Sequence, residues 1–407
     1  MEVQRTVTII IEPDPDLRQT LEVFRKVQAD LSPIAFNNGK PLGPIALHRA
    51  AYHKVKGRLN SQMTISAIRA VAAAYQSAKR NRHRISRPFN FRRPRAIFLV
   101  GERGRDAGFR ADGTLSIWTV GGRKRLSYTV PDVFKTTLQQ AKEIDSLTVI
   151  ERDGKLLGRV TVTLEVPEPV GVLPVGIDLN ETNALVAVAP NGNTFFASGK
   201  AVKVKNRRTQ KTRARLQRKL AARKAEHRDT RSVRRVLKRL GRKQRNRTRT
   251  FARQTAAALV EWAPANAVLV FENLRNIPKP EKRRVYCKAL RRRLSLWQRR
   301  EIRAAVENKA QVRGLLVAEV DPAYTSRTCS RCGLLGIRKR HNFICPHCGY
   351  QAHADINAAH NIRLRYTVLR GGGPLSTGPE ALPVSAGEGK LHGFNCGVVD
   401  NNAAMVM

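Results

Sequence analysis

CPHCGYQAHADINAAHNI, residues 345–362, is the stretch that decides the fold of the C-terminal half of this chain. It opens with Cys345 and Cys348, a pair of cysteines separated by two residues. It continues to Asp355, at the start of a predicted helix whose apolar positions recur every three residues. Such a helix can dock on a sheet through one face. The stretch therefore joins a pair of thiol ligands to an acidic residue that a docked helix can hold in place.

A second pair of cysteines lies upstream and completes a metal-ligand pattern. The full spacing is Cys-x2-Cys-x12-Cys-x2-Cys, with Cys329 and Cys332 as the first pair. Four thiolates suit tetrahedral Zn²⁺ in a closed, structural site. The alternative is four buried free cysteines whose spacing is accidental. The sequence predicts structural zinc at Cys329, Cys332, Cys345 and Cys348, and this usage suits a reducing compartment better than a disulfide framework.

Two further acidic residues end apolar runs that we interpret as buried strands. Asp178 lies in VGIDLN, residues 175–180, and Glu272 lies in AVLVFENL, residues 267–274. Alone, each acid could begin a turn, pair with an arginine or cap a helix. Together with Asp355 they occupy strand, strand and helix positions, where a ribonuclease-H-like fold gathers carboxylates. Carboxylates suit Mg²⁺, and paired ions cleave phosphodiesters. We therefore expect Asp178, Glu272 and Asp355 to be catalytic and to hold two Mg²⁺ ions.

The charge of the chain points to a polyanionic partner. The 407 residues include 76 Lys and Arg against 31 Asp and Glu, a formal net charge of +45. Self-repulsion on this scale opposes compaction, which argues against an ordinary enzyme of small molecules. Nucleic acid is the polyanion that would offset it.

Almost half of this excess lies in one segment. Residues 200–253 contain 24 Lys and Arg and only two acids. Leucines and valines recur there at three and four residues, which predicts two basic helices with a break near Glu226 to Asp229. A basic face is often merely solvated, but this one is suited to tracking phosphates. The candidate nucleic-acid contacts are Arg207, Arg208, Arg215, Arg218, Arg234 and Arg235, with Arg92 and Arg93 in a second patch beside a strand.

The N-terminal half follows a different pattern. An alternating, β-branched run at the N-terminus predicts a strand, and amphipathic helical patterns follow up to about residue 84. Short strand-like runs separated by Gly, Asp and Pro then continue to about residue 167, which favours a small β-barrel or sandwich. The first strand is expected to belong to it, with the helices as an insertion. PEPVGVLP, residues 167–174, is the predicted linker.

From about residue 172 to 365, the chain resembles TnpB, the compact RNA-guided endonucleases of insertion-sequence transposons, which are relatives of type V CRISPR effectors. VGIDLN, VFENL, DPAYTSRTCSRCG and CPHCGYQAHADINAAHNI carry the resemblance, with the basic helices between them. It implies a RuvC-type nuclease core whose metal-binding acids are Asp178, Glu272 and Asp355 and whose zinc ligands are the four cysteines. It also implies that a structured guide RNA, target double-stranded DNA and a short target-adjacent motif are bound. Ala354 is a departure, because Arg often precedes the last Asp in this family.

The expected fold class is multidomain α/β plus β-barrel: an RNase H-like (RuvC) core with an inserted zinc ribbon, and an N-terminal wedge barrel with an inserted helical recognition lobe. The expected segments are wedge barrel 1–12 and 85–170, recognition lobe 13–84, nuclease 171–325 and 350–366 with basic helices at 203–260, zinc ribbon 326–349 and disordered tail 367–407.

The expected function is DNA cleavage directed by the guide RNA, with Mg²⁺ and structural Zn²⁺ as cofactors. The main alternative is a nuclease-dead RNA-guided DNA-binding repressor, which would lack one or more of the acids. A transposase that joins DNA ends and a structure-specific nuclease without RNA are further alternatives. No signal peptide and no apolar stretch long enough for a membrane helix is visible. We expect a monomer in the prokaryotic cytoplasm, with the nucleoid.

Overall fold

The computed structural model describes residues 1–100, 106–274, 298–370 and 393–394. The chain divides into two compact units, Met1–Glu165 and Val166–Met407. Cys287, Cys396 and most of the tail predicted for 367–407 lie outside the described residues. The boundary, between Glu165 and Val166, falls just before the predicted linker, residues 167–174.

The first unit contains a seven-stranded sheet and four helices among its described residues. Its strand order is β2-β6-β7-β1-β5-β4-β3. The elements are β1 (Glu2–Ile11), α1 (Pro15–Phe36), α2 (Pro44–Val55), α3 (Ser61–Arg80), β2 (Arg95–Leu99), β3 (Ala107–Phe109), β4 (Thr114–Thr119), β5 (Gly122–Thr129), α4 (Asp132–Gln139), β6 (Ala141–Arg152) and β7 (Lys155–Glu165).

The first strand does join the later strands. β1 pairs antiparallel with both β5 and β7, so the helices α1 to α3 are inserted between strands of one sheet. Buried Asp106 directly precedes β3 and links β2 to β4, since its carboxylate accepts from the backbone N–H of Leu99 in β2 and its carbonyl accepts from Trp118 N–H in β4. The helix α4 was not predicted, because PDVFKTTLQQ is short and lies among strand-like runs.

The inserted helices pack through their apolar stripes. Leu17, Leu21 and Phe24 of α1 are fully buried, as their spacing predicts. The α3 helix begins at Ser61. Its N-cap is Asn60, whose side chain accepts from Met63 N–H at 2.7 Å.

The second unit contains a six-stranded sheet, a separate three-stranded sheet and long helices. The elements are β8 (Leu173–Asp178), β9 (Asn183–Val188), β10 (Thr194–Ser198), α5 (Lys200–Ala225), α6 (Arg231–Trp262), β11 (Ala267–Glu272), α7 (Arg299–Arg313), β12 (Leu316–Val320), β13 (Ile337–Lys339), β14 (Asn342–Ile344), β15 (Gln351–His353), α8 (Ala354–Leu369) and β16 (Gly393–Phe394). The sheet orders are β12-β11-β8-β9-β10-β16 and β13-β14-β15.

The strands at the centre of the larger sheet are covered on both faces. Leu269 and Phe271 of β11 face a cluster that contains residues of α6 and α7, whereas Val268 and Val270 pack with Ile362 of α8. Burial on both faces explains why β11 is apolar throughout and does not alternate. β8 and β11 are parallel, as are β11 and β12, so these three strands end at one edge of the sheet.

The two basic helices are separated as the sequence predicts, with α5 ending at Ala225 and α6 beginning at Arg231. Arg247 of α6 donates to Asn206 Oδ1 of α5 at 2.9 Å, which ties the helices together. We call this pair, Lys200–Ala225 and Arg231–Trp262, the basic hairpin. None of the helices in the described ranges combines the length and apolar character that crossing a bilayer requires.

Candidate metal centres

Asp178 and Glu272 lie at the same end of two neighbouring parallel strands. In the register of β8 and β11, Ile177 pairs with Phe271, so the two acids occupy the next position on each strand. Neighbouring strands are about 4.8 Å apart, which brings the acids into the same region. The hydrophobic residues before them, including Ile177 and Phe271, are buried and anchor the strand ends. The sheet therefore delivers two carboxylates to one edge.

The third acid reaches this edge on a helix. α8 crosses β8 so closely that a Cβ on Gly176 would lie 2.0 Å from the carbonyl oxygen of Ala359. Glycine is therefore required on the strand at the crossing. Asp355, one turn before Ala359 in α8, is fully buried. The close approach brings the start of α8 over the strand that ends in Asp178.

The electrostatics of Asp178 depend on the other two acids. Burial raises the pKa of Asp178 well above its usual range, and the charges of Glu272 and Asp355 raise it further. Arg338 opposes this shift in part. Burial also raises the pKa of Glu272, against a hydrogen bond from Thr325 Oγ1 and the charges of Arg365 and Arg338. The site thus concentrates negative charge in a desolvated place, where a cation would be strongly favoured.

Neutral and cationic donors hold Asp355 in a fixed orientation. Asn180 and Arg338 donate to Oδ1 at 2.6 and 2.8 Å, and Asn183 donates to Oδ2 at 3.0 Å. Asn180, Asn183, Arg338 and Thr325 were not predicted as site residues. Asn180 lies in the quoted VGIDLN run, two residues after Asp178, which is the one local signal that could have pointed to it.

The three acids are spread more widely than the ligands of a single ion. Among the described residues, the sets of ligand atoms that all lie within 4.8 Å of one another are the four cysteines and the group His341, His353 and Asp355. Asp178, Glu272 and Asp355 do not form such a set. Two Mg²⁺ ions about 3.5–4 Å apart, each with oxygen ligands at about 2.0–2.1 Å, require a wider spread than one ion does. A pair of Mg²⁺ ions held by these acids therefore stays a prediction.

The four cysteines form a compact cluster. Sγ of Cys329 lies 3.7 Å from that of Cys348, and Sγ of Cys332 lies 3.5 Å from that of Cys345. Tetrahedral ligation with Zn–S bonds of about 2.3 Å requires sulfurs about 3.8 Å apart, so the cluster fits Zn²⁺. A glycine follows each cysteine pair, and both adopt a positive φ, 77° at Gly333 and 69° at Gly349. The cluster supports a possible cysteine zinc site.

The cysteine cluster also positions Arg338 at the acids. β13, which carries Arg338, pairs with β14, and Cys345 follows β14 directly. Cys329, Phe343, Cys345 and Ala354 form one buried cluster that joins this small sheet to the start of α8. The segment that holds the cysteines therefore contributes directly to the surroundings of Asp355.

The candidate nucleic-acid contacts lie on two surfaces. All six arginines predicted on the basic hairpin are exposed, as are Arg92 and Arg93 of the first unit. In the described part of the chain, none of these eight side chains takes part in an ion pair of 4 Å or less. Their charge is therefore available to phosphates, and contact with nucleic acid stays a prediction.

Comparison with known proteins places both metal centres in matched regions. Residues 158–276 match the OrfB_IS605 family model, described as "Probable transposase", and this range contains Asp178 and Glu272. Residues 300–362 match the Cas12f1-like TNB domain, and this range contains Asp355 and the four cysteines.

Individual relatives agree with the family models. A TnpB-like protein of Aquifex aeolicus is 33% identical over 147 residues, 33% of this chain and 47% of that protein. The chain thus aligns with about half the length of this relative. The "Putative RNA-guided DNA endonuclease InsQ" of Escherichia coli is 28% identical over 289 residues, 67% of this chain and 69% of that protein.

A solved structure shares the fold. The Cas12f1 chain of a Cas12f1–sgRNA–target DNA complex superposes with a TM-score of 0.55 at 16% identity, over 86% of this chain and 81% of that one. The chain is related to TnpB-like and Cas12f1 proteins, which confirms the resemblance seen in its sequence.

Proposed function

We propose that this chain is an RNA-guided DNA endonuclease with an RNase H-like (RuvC) core, and that Asp178, Glu272 and Asp355 are its catalytic acids. The observation that carries the proposal is the convergence of these acids, on two strand ends and one helix start, with Asp178 held at a raised pKa by burial and by the other two charges. The relative named "Putative RNA-guided DNA endonuclease InsQ" supports the same function.

The residues present fit a pair of Mg²⁺ ions. All three acids offer hard oxygen ligands, and the charges of Glu272 and Asp355, which raise the pKa of Asp178 beyond the effect of its burial, are ones that a divalent cation would offset. When bound, such ions supply an activated water and stabilise the leaving oxygen in phosphodiester hydrolysis. Asp178, Glu272 and Asp355 would hold them.

The surrounding side chains keep the acids ready for that task. Asn180 and Asn183 fix the plane of the Asp355 carboxylate, and Thr325 fixes Glu272 through its hydroxyl. Asn361 donates to the carbonyl of Thr325 at 2.8 Å, which holds that residue in turn. Outer hydrogen bonds of this kind preorganise ligands and strengthen metal binding.

We assign the cysteine cluster to folding, because a closed four-thiolate site offers no open position for a substrate. Its role would be to hold the zinc ribbon, residues 326–349, and with it Arg338 beside Asp355. A guanidinium at that place can contact the phosphate of a bound strand as well as the acids.

We further propose that the basic hairpin binds nucleic-acid phosphates, because base pairing with a guide RNA leaves the protein to supply mainly backbone contacts. The sheet of the first unit would be the wedge and helices α1 to α3 the recognition lobe, which together contact guide RNA and a target-adjacent motif on double-stranded DNA. The protein would act as a monomer in the cytoplasm. No feature favours the repressor alternative, since all three acids are present and lie together.

The test uses the full-length protein purified with its bound RNA. Targets are plasmids that carry sequences complementary to the variable part of that RNA, with randomised flanks. Asp178→Asn should lower Mg²⁺-dependent cleavage to roughly a hundredth of the wild-type rate or less. Mutation of residues that only hydrogen-bond to a metal ligand already costs about 10- to 100-fold in metal affinity or activity. Target binding should persist.

Asp321→Asn is the matched control. Asp321 follows β12, the strand next to β11, but it is exposed, and its carboxylate accepts from Ala323 N–H at 3.1 Å, a bond that asparagine can keep. Its cleavage rate should match that of the wild type. Wild-type cleavage by the Asp178→Asn protein would overturn the proposal.

A further inference from the structure

A second cluster of metal ligands shares one member with the acidic site. His341, His353 and Asp355 each offer a ligand atom, and these atoms lie within 4.8 Å of one another. The imidazole rings of the two histidines stack with centroids 5.4 Å apart, and Phe196 contacts His353 edge-on. Neither histidine belongs to the cysteine cluster or to the three proposed catalytic acids.

The backbone holds the two histidines side by side. His353 pairs with Asn342 across β14 and β15, which places His341 next to it. The N–H of Ala354 donates to the carbonyl of His341 at 2.6 Å and closes the same corner. The backbone pairing of β14 and β15 therefore places the two histidines side by side, whatever rotamers their side chains adopt.

The two oxygens of Asp355 face different surroundings. Oδ1 accepts from Asn180 and Arg338, whereas Oδ2 accepts from Asn183. Oδ2 lies 3.9 Å from Nδ1 of His353. Nδ1 accepts from the backbone N–H of Asp355 at 3.2 Å, so its lone pair caps α8, and an ion bound at this nitrogen would replace that hydrogen bond. A small contraction would bring both atoms to the spacing of about 3.3 Å that a tetrahedral ion with bonds of about 2.0 Å requires.

The donor set selects the class of ion. Two imidazoles and one carboxylate suit borderline transition metals such as Zn²⁺, Co²⁺ and Ni²⁺, whereas Mg²⁺ prefers oxygen ligands alone. We propose that His341, His353 and Asp355 form a transition-metal site, and that an ion bound there takes Asp355 from the Mg²⁺ centre and inhibits cleavage. The inhibition rests on the proposed function, while the binding does not.

The binding test uses full-length protein already loaded with one Zn²⁺ per chain and titrated with Co²⁺. Visible Co²⁺ absorption should report a site that depends on the histidines. His341→Ala and His353→Asn should each weaken this binding by roughly tenfold or more, because each loses a ligand. Asparagine at 353 keeps a side chain able to cap α8, so that variant tests the metal ligand and not the helix start.

Two controls separate this site from its neighbours. His347→Ala removes an exposed histidine of the same segment that lies outside the ligand set, and it should bind Co²⁺ as the wild type does. Asp178→Asn alters the acidic site and leaves the three proposed ligands, so it should retain the histidine-dependent absorption. Equal Co²⁺ binding by the wild type, His341→Ala and His353→Asn would overturn the proposal.

Cleavage provides the second readout. Micromolar Zn²⁺ added to the Mg²⁺ reaction should slow the wild-type and His347→Ala proteins, and excess Mg²⁺ should relieve the inhibition. His341→Ala should need roughly tenfold more Zn²⁺ for the same fractional loss of its own rate. Inhibition with the same midpoint in His341→Ala would refute the link between the sites. If no protein cleaved with Mg²⁺, the proposed function would fail, but the Co²⁺ result would still decide the metal site.

Discussion

Arg338 donates from Nη2 to Oδ1 of the fully buried Asp355 at 2.8 Å. The arginine comes from β13 and the acid from α8, and the second cysteine pair lies between these elements in the chain. The surroundings of a proposed catalytic acid thus depend on a segment whose fold a separate metal would stabilise.

Loss of the proposed zinc should therefore reach the acidic site. Cys345→Ser should lower bound zinc from about one ion per chain to none and raise hydrogen exchange across residues 329–353, because a closed zinc site contributes directly to local folding. Mg²⁺-dependent cleavage should fall as Arg338 leaves Asp355. Ser330→Ala, a small truncation between the first pair of cysteines, should keep the zinc and the protection. Full zinc occupancy in Cys345→Ser would contradict the assignment.

The raised pKa of Asp178 predicts how stability depends on pH. A carboxyl whose folded pKa exceeds its unfolded value favours folding when protonated, and this contribution is lost as pH rises through the folded pKa. Without Mg²⁺, the Asp178→Asn protein should have a higher melting temperature than the wild type at pH 8, and this difference should disappear in acid. Each unit by which folding raises the pKa of Asp178 corresponds to about 1.4 kcal/mol in unfolding free energy. Thermal melts of zinc-loaded protein measure this.

Added Mg²⁺ should reverse the order of these two proteins at pH 8, because ligand binding stabilises only the form that retains all three acids. A wild-type melting temperature that does not respond to Mg²⁺ at pH 8 would contradict the account of Asp178.

The crossing of α8 over β8 predicts a steric effect at Gly176. A Cβ there would lie 2.0 Å from the carbonyl oxygen of Ala359, so Gly176→Ala should push α8 away and displace Asp355. We expect a loss of about 1–3 kcal/mol in unfolding free energy and a larger fractional loss of cleavage than of target binding. Gly108→Ala, at a strand glycine with no atom within 4 Å of the added Cβ, is the control. Unchanged cleavage in Gly176→Ala would count against the role of this crossing.

The basic hairpin predicts a change in salt dependence. Replacing Arg207, Arg208, Arg215 and Arg218 by glutamine should weaken binding to all target sequences alike. The slope of log K against log salt should become shallower by about 0.7–0.9 for each phosphate that the protein no longer neutralises. Arg247→Gln removes a charge that bridges the two helices, so it should reduce hairpin stability more than the slope. An identical slope after the fourfold replacement would exclude this surface as the phosphate-binding face.

Much of the candidate site could be predicted because its signals are local in the sequence. Strand-terminal Asp178 and Glu272 follow apolar runs, and Asp355 follows a cysteine pair at metal-ligand spacing. Each of these patterns spans only a few residues, and it can be interpreted without knowing which distant residues contact it in the fold.

The remaining site residues could not be predicted because their roles arise from contacts between distant positions. Asn183 and Asp355 are 172 residues apart, and Thr325 and Glu272 are 53 apart. Asn183 opens β9 without a local feature that marks it, and Thr325 lies in the quoted DPAYTSRTCSRCG run, where no pattern links it to Glu272. Arg338 is one of 76 basic residues, and only the register of β13 places it at Asp355. The helix α4 was missed because its short length gives too little periodicity to outweigh the strands around it.

The most direct test of the central claim is anomalous diffraction from crystals of the RNA-bound protein soaked in Mn²⁺, which replaces Mg²⁺ at oxygen ligands. The account predicts two peaks about 3.5–4 Å apart among the side chains of Asp178, Glu272 and Asp355. Their absence, with these carboxylates ordered and Mn²⁺ bound only elsewhere, would contradict it.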